Sequence, residues 1–185
     1  DNVINFRTLQ DVDKMQAIAA SKNNAVVIGG GFLGLEAAEG LRRLGMKVTV
    51  LQRAPWLLNN QLDETAASLL QDALEQRGMS FRLDAITEEI QGEQAVDSVR
   101  LSTGEIIPAD LVVTAIGITP NTALARDAGL ECQRGIMVDA KMQTSDADIF
   151  ALGECCQYQE HIYGLVAPIW QQADVLTQNF AGNDV

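Results

Sequence analysis

Positive charge is scarce in this chain. Its 185 residues carry 13 Lys and Arg against 25 Asp and Glu, a formal charge of −12. Nucleic-acid binding needs clustered cations, so this balance argues against such a partner. An anionic ligand would have to be held by local backbone donors, since the overall field repels it. The acids are dispersed along the sequence, as on a solvated surface. Histidine is also nearly missing, and the lone His161, in a polar stretch, is read as incidental. No Ser-His-Asp, paired-carboxylate or zinc-like spacing occurs, so no catalytic side chain and no metal ligand is assigned. The three cysteines, Cys132, Cys155 and Cys156, form no C-x-x-C, and the adjacent two cannot easily join each other. Buried thiols in a reducing cytoplasm are the expectation. No apolar run reaches the roughly 18 residues of a membrane span, and no secretion signal opens the chain.

What is present is a nucleotide-binding pattern. Ala25-Val26-Val27-Ile28 reads as a fully buried parallel strand that runs into Gly29-Gly30-Gly31-Phe32-Leu33-Gly34. Gly29, Gly31 and Gly34 occupy the glycines of G-x-G-x-x-G. They permit a tight turn, a close backbone approach to a diphosphate, and close packing of helix on strand. Phe32, Leu35, Ala38, Leu41 and Leu44 then recur at helical spacing, with Gly45 at the helix end. Val48-Thr49-Val50-Leu51 follows as a second strand. Strand, turn, helix and strand in that order predict a dinucleotide pyrophosphate on the helix N-terminus.

The remaining elements are read more coarsely. Thr8-Leu9-Gln10-Asp11 predicts a capping box before a helix faced by Val12, Met15, Ile18 and Ala19. Asp63 opens another helix, with Ala66, Leu69, Leu70, Ala73 and Leu74 as its apolar stripe. Residues 80–108 read as a small antiparallel meander, and 111–116 as a further buried strand ending in Gly117. Residues 135–139 and 149–153 read as short strands, and a last helix starts with Pro168 at its first position. Ile169, Ala173, Leu176 and Phe180 form that helix's expected buried face. The fold class is α/β, Rossmann-like, with an antiparallel meander.

These residues resemble the two-dinucleotide-binding flavoprotein family, of the pyridine nucleotide-disulfide oxidoreductase type. Residues 144–154, ending Ala151-Leu152-Gly153-Glu154, resemble its second FAD motif. The resemblance implies that residues 23–118 form the NAD(P)H domain. Residues 1–22 would be a connecting segment and helix from the FAD domain, and 119–185 the C-terminal part of that domain. Gly153-Glu154-Cys155 with residues 163–168, Ala54-Pro55 and residues 60–63 are most similar to large subunits of assimilatory nitrite reductases. Hydride transfer from NAD(P)H to FAD is thereby implied, then electron flow through metal centres to nitrite. A ferredoxin or rubredoxin reductase and a non-catalytic nucleotide sensor are the alternatives. With a single G-x-G-x-x-G, the flavin half-site and the downstream electron-transfer domains are expected elsewhere in a longer protein. The fragment alone is expected to bind nucleotide and catalyse nothing.

Several side chains receive specific expectations. Glu36, in the first turns of the nucleotide helix, lies near the nicotinamide by resemblance, or complements the helix N-terminus; both readings stand together. Gln52 ends the second strand where an acid usually binds the ribose 2′-OH, and Arg53 beside it is able to pair with a 2′-phosphate. NADH or dual use is favoured, because bases nearby are few. Gly117 is expected against the dinucleotide. Gly153 and Glu154 are expected at the FAD ribitol by resemblance. Tyr163 and Trp170 are read as core packing.

Overall fold

A computed structural model describes residues 2–183. Two compact units divide the chain, one through Gly117 and one from Ile118 on. In the first, the elements are β1 (Val3–Asn5), α1 (Leu9–Ala19), β2 (Asn24–Ile28), α2 (Phe32–Arg43), β3 (Lys47–Leu51), α3 (Glu64–Glu75), β4 (Ser80–Arg82), β5 (Thr87–Gln91), β6 (Ser98–Leu101), β7 (Ile106–Pro108) and β8 (Leu111–Thr114). Five of the strands form a parallel sheet in the order β1-β8-β2-β3-β4, and β5-β6-β7 form an antiparallel one.

The uninterrupted apolar runs of β2, β3 and β8 follow from cover on both faces. Val27, Val50 and Val113 pack with Met15, Ala38 and Leu41 of the helices. Val26, Leu51 and Val112 pack instead with Val99, Leu101 and Ile107 of the antiparallel sheet. Asp110 ties the strand starts together by accepting the Asn24 N–H at 2.9 Å and the Asn23 N–H at 3.2 Å. Those bonds, the Asn24 one foremost, hold its carboxyl below the usual aspartate range.

Several elements differ from the sequence reading. Residues 80–82 do not begin the meander. Phe81 pairs with Val50 in parallel register, so the segment becomes the edge strand β4. Strand β1 had no signal, because only Ile4 of its three residues is buried, and it exists by pairing with β8. The capping box is present as expected, with Asp11 N–H donating to Thr8 Oγ1 and Thr8 N–H to Asp11 Oδ2. On α3 the expected stripe is rotated: Ala67 is the buried residue and Leu69 is 68% exposed. The helix lies against the edge of the sheet, which covers only a narrow face.

The second unit contains α4 (Ala123–Asp127), β9 (Ile136–Val138), β10 (Cys156–Tyr158), β11 (His161–Ile162) and α5 (Val166–Phe180). Strand β10 lies between a parallel β9 and an antiparallel β11. His161 therefore sits in a short strand, not a loop, and is exposed. Residues 149–153 form no strand. The Ile149 amide bonds to the Asp146 carbonyl in a turn, and the Ala151 amide bonds to the Met142 carbonyl beside the isolated antiparallel bridge of Phe150 to Gln143. Helix α5 begins two residues before Pro168, a proline position tolerated because first-turn amides have no helical partner. Phe180 is 67% exposed, and Gln172 occupies the buried position. Among the described residues, no helix is long and apolar enough to cross a membrane.

Candidate functional site

At the carboxyl ends of β2 and β8, Ile28 stands beside Thr114, and both strands open into glycine turns. Gly29 has φ +117, and a Cβ there would collide with the Ala115 carbonyl. Only glycine meets both demands. Its N–H donates to the Leu51 carbonyl at 2.8 Å, which holds the turn to β3. A Cβ on Gly34 would strike the carbonyl of Gly29, so α2 is packed directly onto the turn that precedes it.

Gly31 is different. It is the N-cap of α2, with φ −85 and ψ −175, an extended conformation open to any residue. Nothing lies within 4 Å of where its Cβ would be. The space that this glycine leaves clear is thus outside the protein, at the helix end. No side chain caps α2 and no acid stands in its first turn: Glu36, expected there, is the fifth residue of the helix and does not complement its N-terminus. Among the described residues, the amides of Gly31, Phe32, Leu33 and Gly34 meet no acceptor, and the first helical bond is Leu35 N–H to Gly31 at 3.0 Å. Four free donors, the positive end of the helix dipole and the empty space beside Gly31 are the features an anionic group requires.

The other expected residues fall around this turn unevenly. Phe32 and Leu33 are 44% and 42% exposed. Glu36 is exposed beside Phe32 in an open groove along α2 that Leu35, Glu39, Gly40 and Arg43 also line. Within the groove, Arg42 and Arg43 bond Glu39 at 2.8 and 2.7 Å and hold its carboxyl down to about 2. Gly117, φ +107, leaves β8 with nothing within 4 Å of its Cβ position. Arg53 is exposed and makes no ion pair among the described residues.

Gln52 is turned inward. It is 8% exposed, and its Oε1 accepts the Gly30 N–H at 3.0 Å. Its Nε2 donates to the Trp56 carbonyl at 3.3 Å and to Asn59 Oδ1 at 3.0 Å. The Gly30 carbonyl accepts from Leu58 N–H at 3.0 Å, and the Leu57 side chain fills the place a Gly30 side chain would take. Sequence reasoning missed this loop. Its signal was an apolar cluster, Trp56-Leu57-Leu58, between the second strand and the helix that Asp63 opens.

In the second unit, Gly153 is buried with φ +93 and its N–H donates to Gln172 Oε1 at 2.7 Å. Glu154 follows, half-buried. Cys156 is fully buried, and burial foremost pushes its thiol up to about 11. Trp170 is 68% exposed and Tyr163 half-buried, stacked on His161 at 6.4 Å. Trp170 therefore does not pack as core, because α5 turns Val166 and Trp170 to the surface and Gln172 to the inside. Among the described residues, no cluster of His, Cys, Asp or Glu is gathered to hold a metal ion.

Residues 1–174 match the family described as pyridine nucleotide-disulphide oxidoreductase. The chain is 49% identical over 177 residues to a nitrite reductase [NAD(P)H] of Bacillus subtilis, covering 96% of this chain and 22% of that protein. It is 43% identical to the assimilatory nitrate reductase electron transfer subunit of the same organism, covering 97% of this chain and 23% of that protein. A ferredoxin reductase from Rhodopseudomonas palustris superposes with a TM-score of 0.92 at 31% identity, covering 97% of this chain and 46% of that one. The chain thus spans less than a quarter of the length of the two curated relatives.

Proposed function

The chain belongs to the pyridine nucleotide-disulphide oxidoreductase family, and on that premise we propose that it binds NAD(P)H at the turn of residues 29–34, as part of an NAD(P)H-dependent FAD oxidoreductase. One observation carries the reading: the four consecutive amides of residues 31–34, at the N-terminus of α2, have no acceptor, and nothing lies within 4 Å of where a Gly31 Cβ would stand. Bound there, the nicotinamide supplies a hydride, which in the whole protein reduces FAD.

The chain's own residues position and select. The amides hold the diphosphate, and Gly117, with nothing within 4 Å of where a Cβ would stand, leaves room beyond the end of β8. Phe32, Leu33 and Glu36 border the nucleotide from α2. The Arg53 guanidinium, exposed and without an ion pair, accepts a 2′-phosphate, so the site takes NADH or either nucleotide. Residues 23–118 are assigned as the nucleotide domain, to whose sheet and core β1 and α1 also belong. Residues 1–22 lead into it from the FAD domain, and 119–185 return to that domain, where Gly153 and Glu154 contribute to the flavin site. The open, positive-φ turn at Gly153 fits such a contact, and the rest of that site belongs to other parts of the parent protein.

The acceptor proposed is nitrite, reached through metal centres in further domains; the 49% identity with a nitrite reductase supports it. A ferredoxin or rubredoxin reductase is the second reading, supported by the likeness to a ferredoxin reductase. Three free cysteines support a reducing, cytoplasmic setting. Calorimetric titration of the chain with NADH and NADPH is the test. Binding of NADH, alone or with NADPH, is expected. A folded chain that takes neither overturns the proposal. A strong preference for NADPH that Arg53→Ala removes overturns the assignment to NADH or dual use.

A further inference from the structure

The side chain that stands where a ribose contact is expected is instead engaged with the phosphate turn. We propose that Gln52 is a positioning residue, an amide clamp that sets the Gly30 peptide and thereby aims the four following amides at the diphosphate; this rests on nucleotide binding at that turn. Gly30 is held through both of its flanking peptide groups. Its N–H goes to Gln52 Oε1 and its carbonyl to Leu58 N–H, each at 3.0 Å. Leu57 closes the remaining side, 2.7 Å from where a Cβ would stand. A glycine held in this way loses the backbone freedom that would otherwise let the turn rotate.

Only a carboxamide satisfies the three partners at once. The oxygen faces an N–H, and the nitrogen faces two oxygens, the Trp56 carbonyl and Asn59 Oδ1. A glutamate could accept from Gly30 but would confront both oxygens with a second acceptor. With both ends of its amide bonded and 8% of its surface exposed, Gln52 has little left to offer a ribose hydroxyl. Trp56 anchors the loop in turn, its Nε1 donating to the Leu62 carbonyl at 3.1 Å.

The test compares three ligands of the 185-residue chain: NADH, NADPH and inorganic pyrophosphate, the last measured by competition. Gln52→Ala is expected to weaken all three by a common factor of about tenfold, the worth of roughly one hydrogen bond. The NADH-to-NADPH ratio stays unchanged, and hydrogen exchange at the Gly30 amide accelerates. Asn59→Ala, at an exposed position, removes one support without disturbing the core; it lowers the same three affinities by a smaller common factor. It carries the test if Gln52→Ala does not fold. Wild-type binding of NADH with pyrophosphate unaffected in both variants, or with a changed ratio, overturns the clamp and leaves nucleotide binding standing. A wild-type chain that takes no nucleotide overturns both.

Discussion

The turn after β2 and the turn at Gly153 use the same device and finish it differently. Each is a glycine segment with a positive φ, held by a buried glutamine whose Oε1 accepts a backbone N–H. Around Gln52 every polar atom of the amide is used. Around Gln172, Nε2 is buried and meets no partner, while the Cys156 thiol shares the oxygen at 3.7 Å. A third glutamine, Gln157, is satisfied like Gln52: its Oε1 takes the Gly135 N–H and its Nε2 gives to the Gln159 carbonyl. The turn after β2 is thus closed by residues of the first unit, and beyond it the amides of residues 31–34 meet no acceptor among the described residues. The second unit leaves a buried donor unsatisfied, at a cost of about 1–3 kcal/mol.

The largest expected effect lies within the first turn. Gly34→Ala drives a methyl into the Gly29 backbone and should cost about 3 kcal/mol, read from the urea midpoint. Gly31→Ser breaks the pattern in the opposite sense. Its extended backbone suits a serine N-cap, so stability should hold or rise by a few tenths of a kcal/mol. The hydroxyl would then occupy the diphosphate space and one amide, and NADH affinity should fall about 100-fold, a loss of roughly 2.7 kcal/mol by calorimetry. If both glycine variants behaved alike, the division between packing and ligand glycines would be wrong.

A matched pair of substitutions addresses the glutamines directly. Gln52→Leu strands one N–H and two oxygens and should cost about 2 kcal/mol; Gln172→Leu strands the Gly153 N–H but removes a buried unpaired donor, so about 1 kcal/mol or less. Equal losses in chemical denaturation would erase the contrast. The smallest effect concerns acid stability. The Glu39 carboxyl is lowered from 4.5 to about 2 by hydrogen bonds from Arg42, then Arg43. Its stabilisation is complete above the unfolded value and drains away as pH falls toward about 2. Glu39→Gln should therefore flatten the fall of the urea midpoint across that window, modestly, because the pair is at the surface.

Much of the first unit was readable in advance. Around Gly29 the pattern is contiguous: apolar residues buried on both faces, then glycines, of which Gly34 is demanded by the Gly29 backbone five residues earlier and Gly29 by its positive φ, then an amphipathic helix. Gly29 and Gly34 announce themselves because their own backbones require them. Strand β1 and the place of residues 80–82 were hidden, since three-residue strands with one buried side chain carry no period and exist only through β8 and β3. The run 149–153 misled for the converse reason: apolar residues were present, but their pairing stops at one turn bond and a single isolated bridge. Trp170 misled as well, because helical spacing marks a face and not the direction in which that face is turned.

The chain order of residues 25–51 was enough to specify a strand, a glycine turn and a helix whose first amides are free, since hydrophobic period, positive φ and the Gly29–Gly34 approach are local, though the Ala115 carbonyl adds a distant demand at Gly29. It could not specify which way Gln52 points. That depends on Gly30, 22 residues earlier, and on a loop folded over both, and such a partnership forms only when the sheet brings the ends of β2 and β3 side by side.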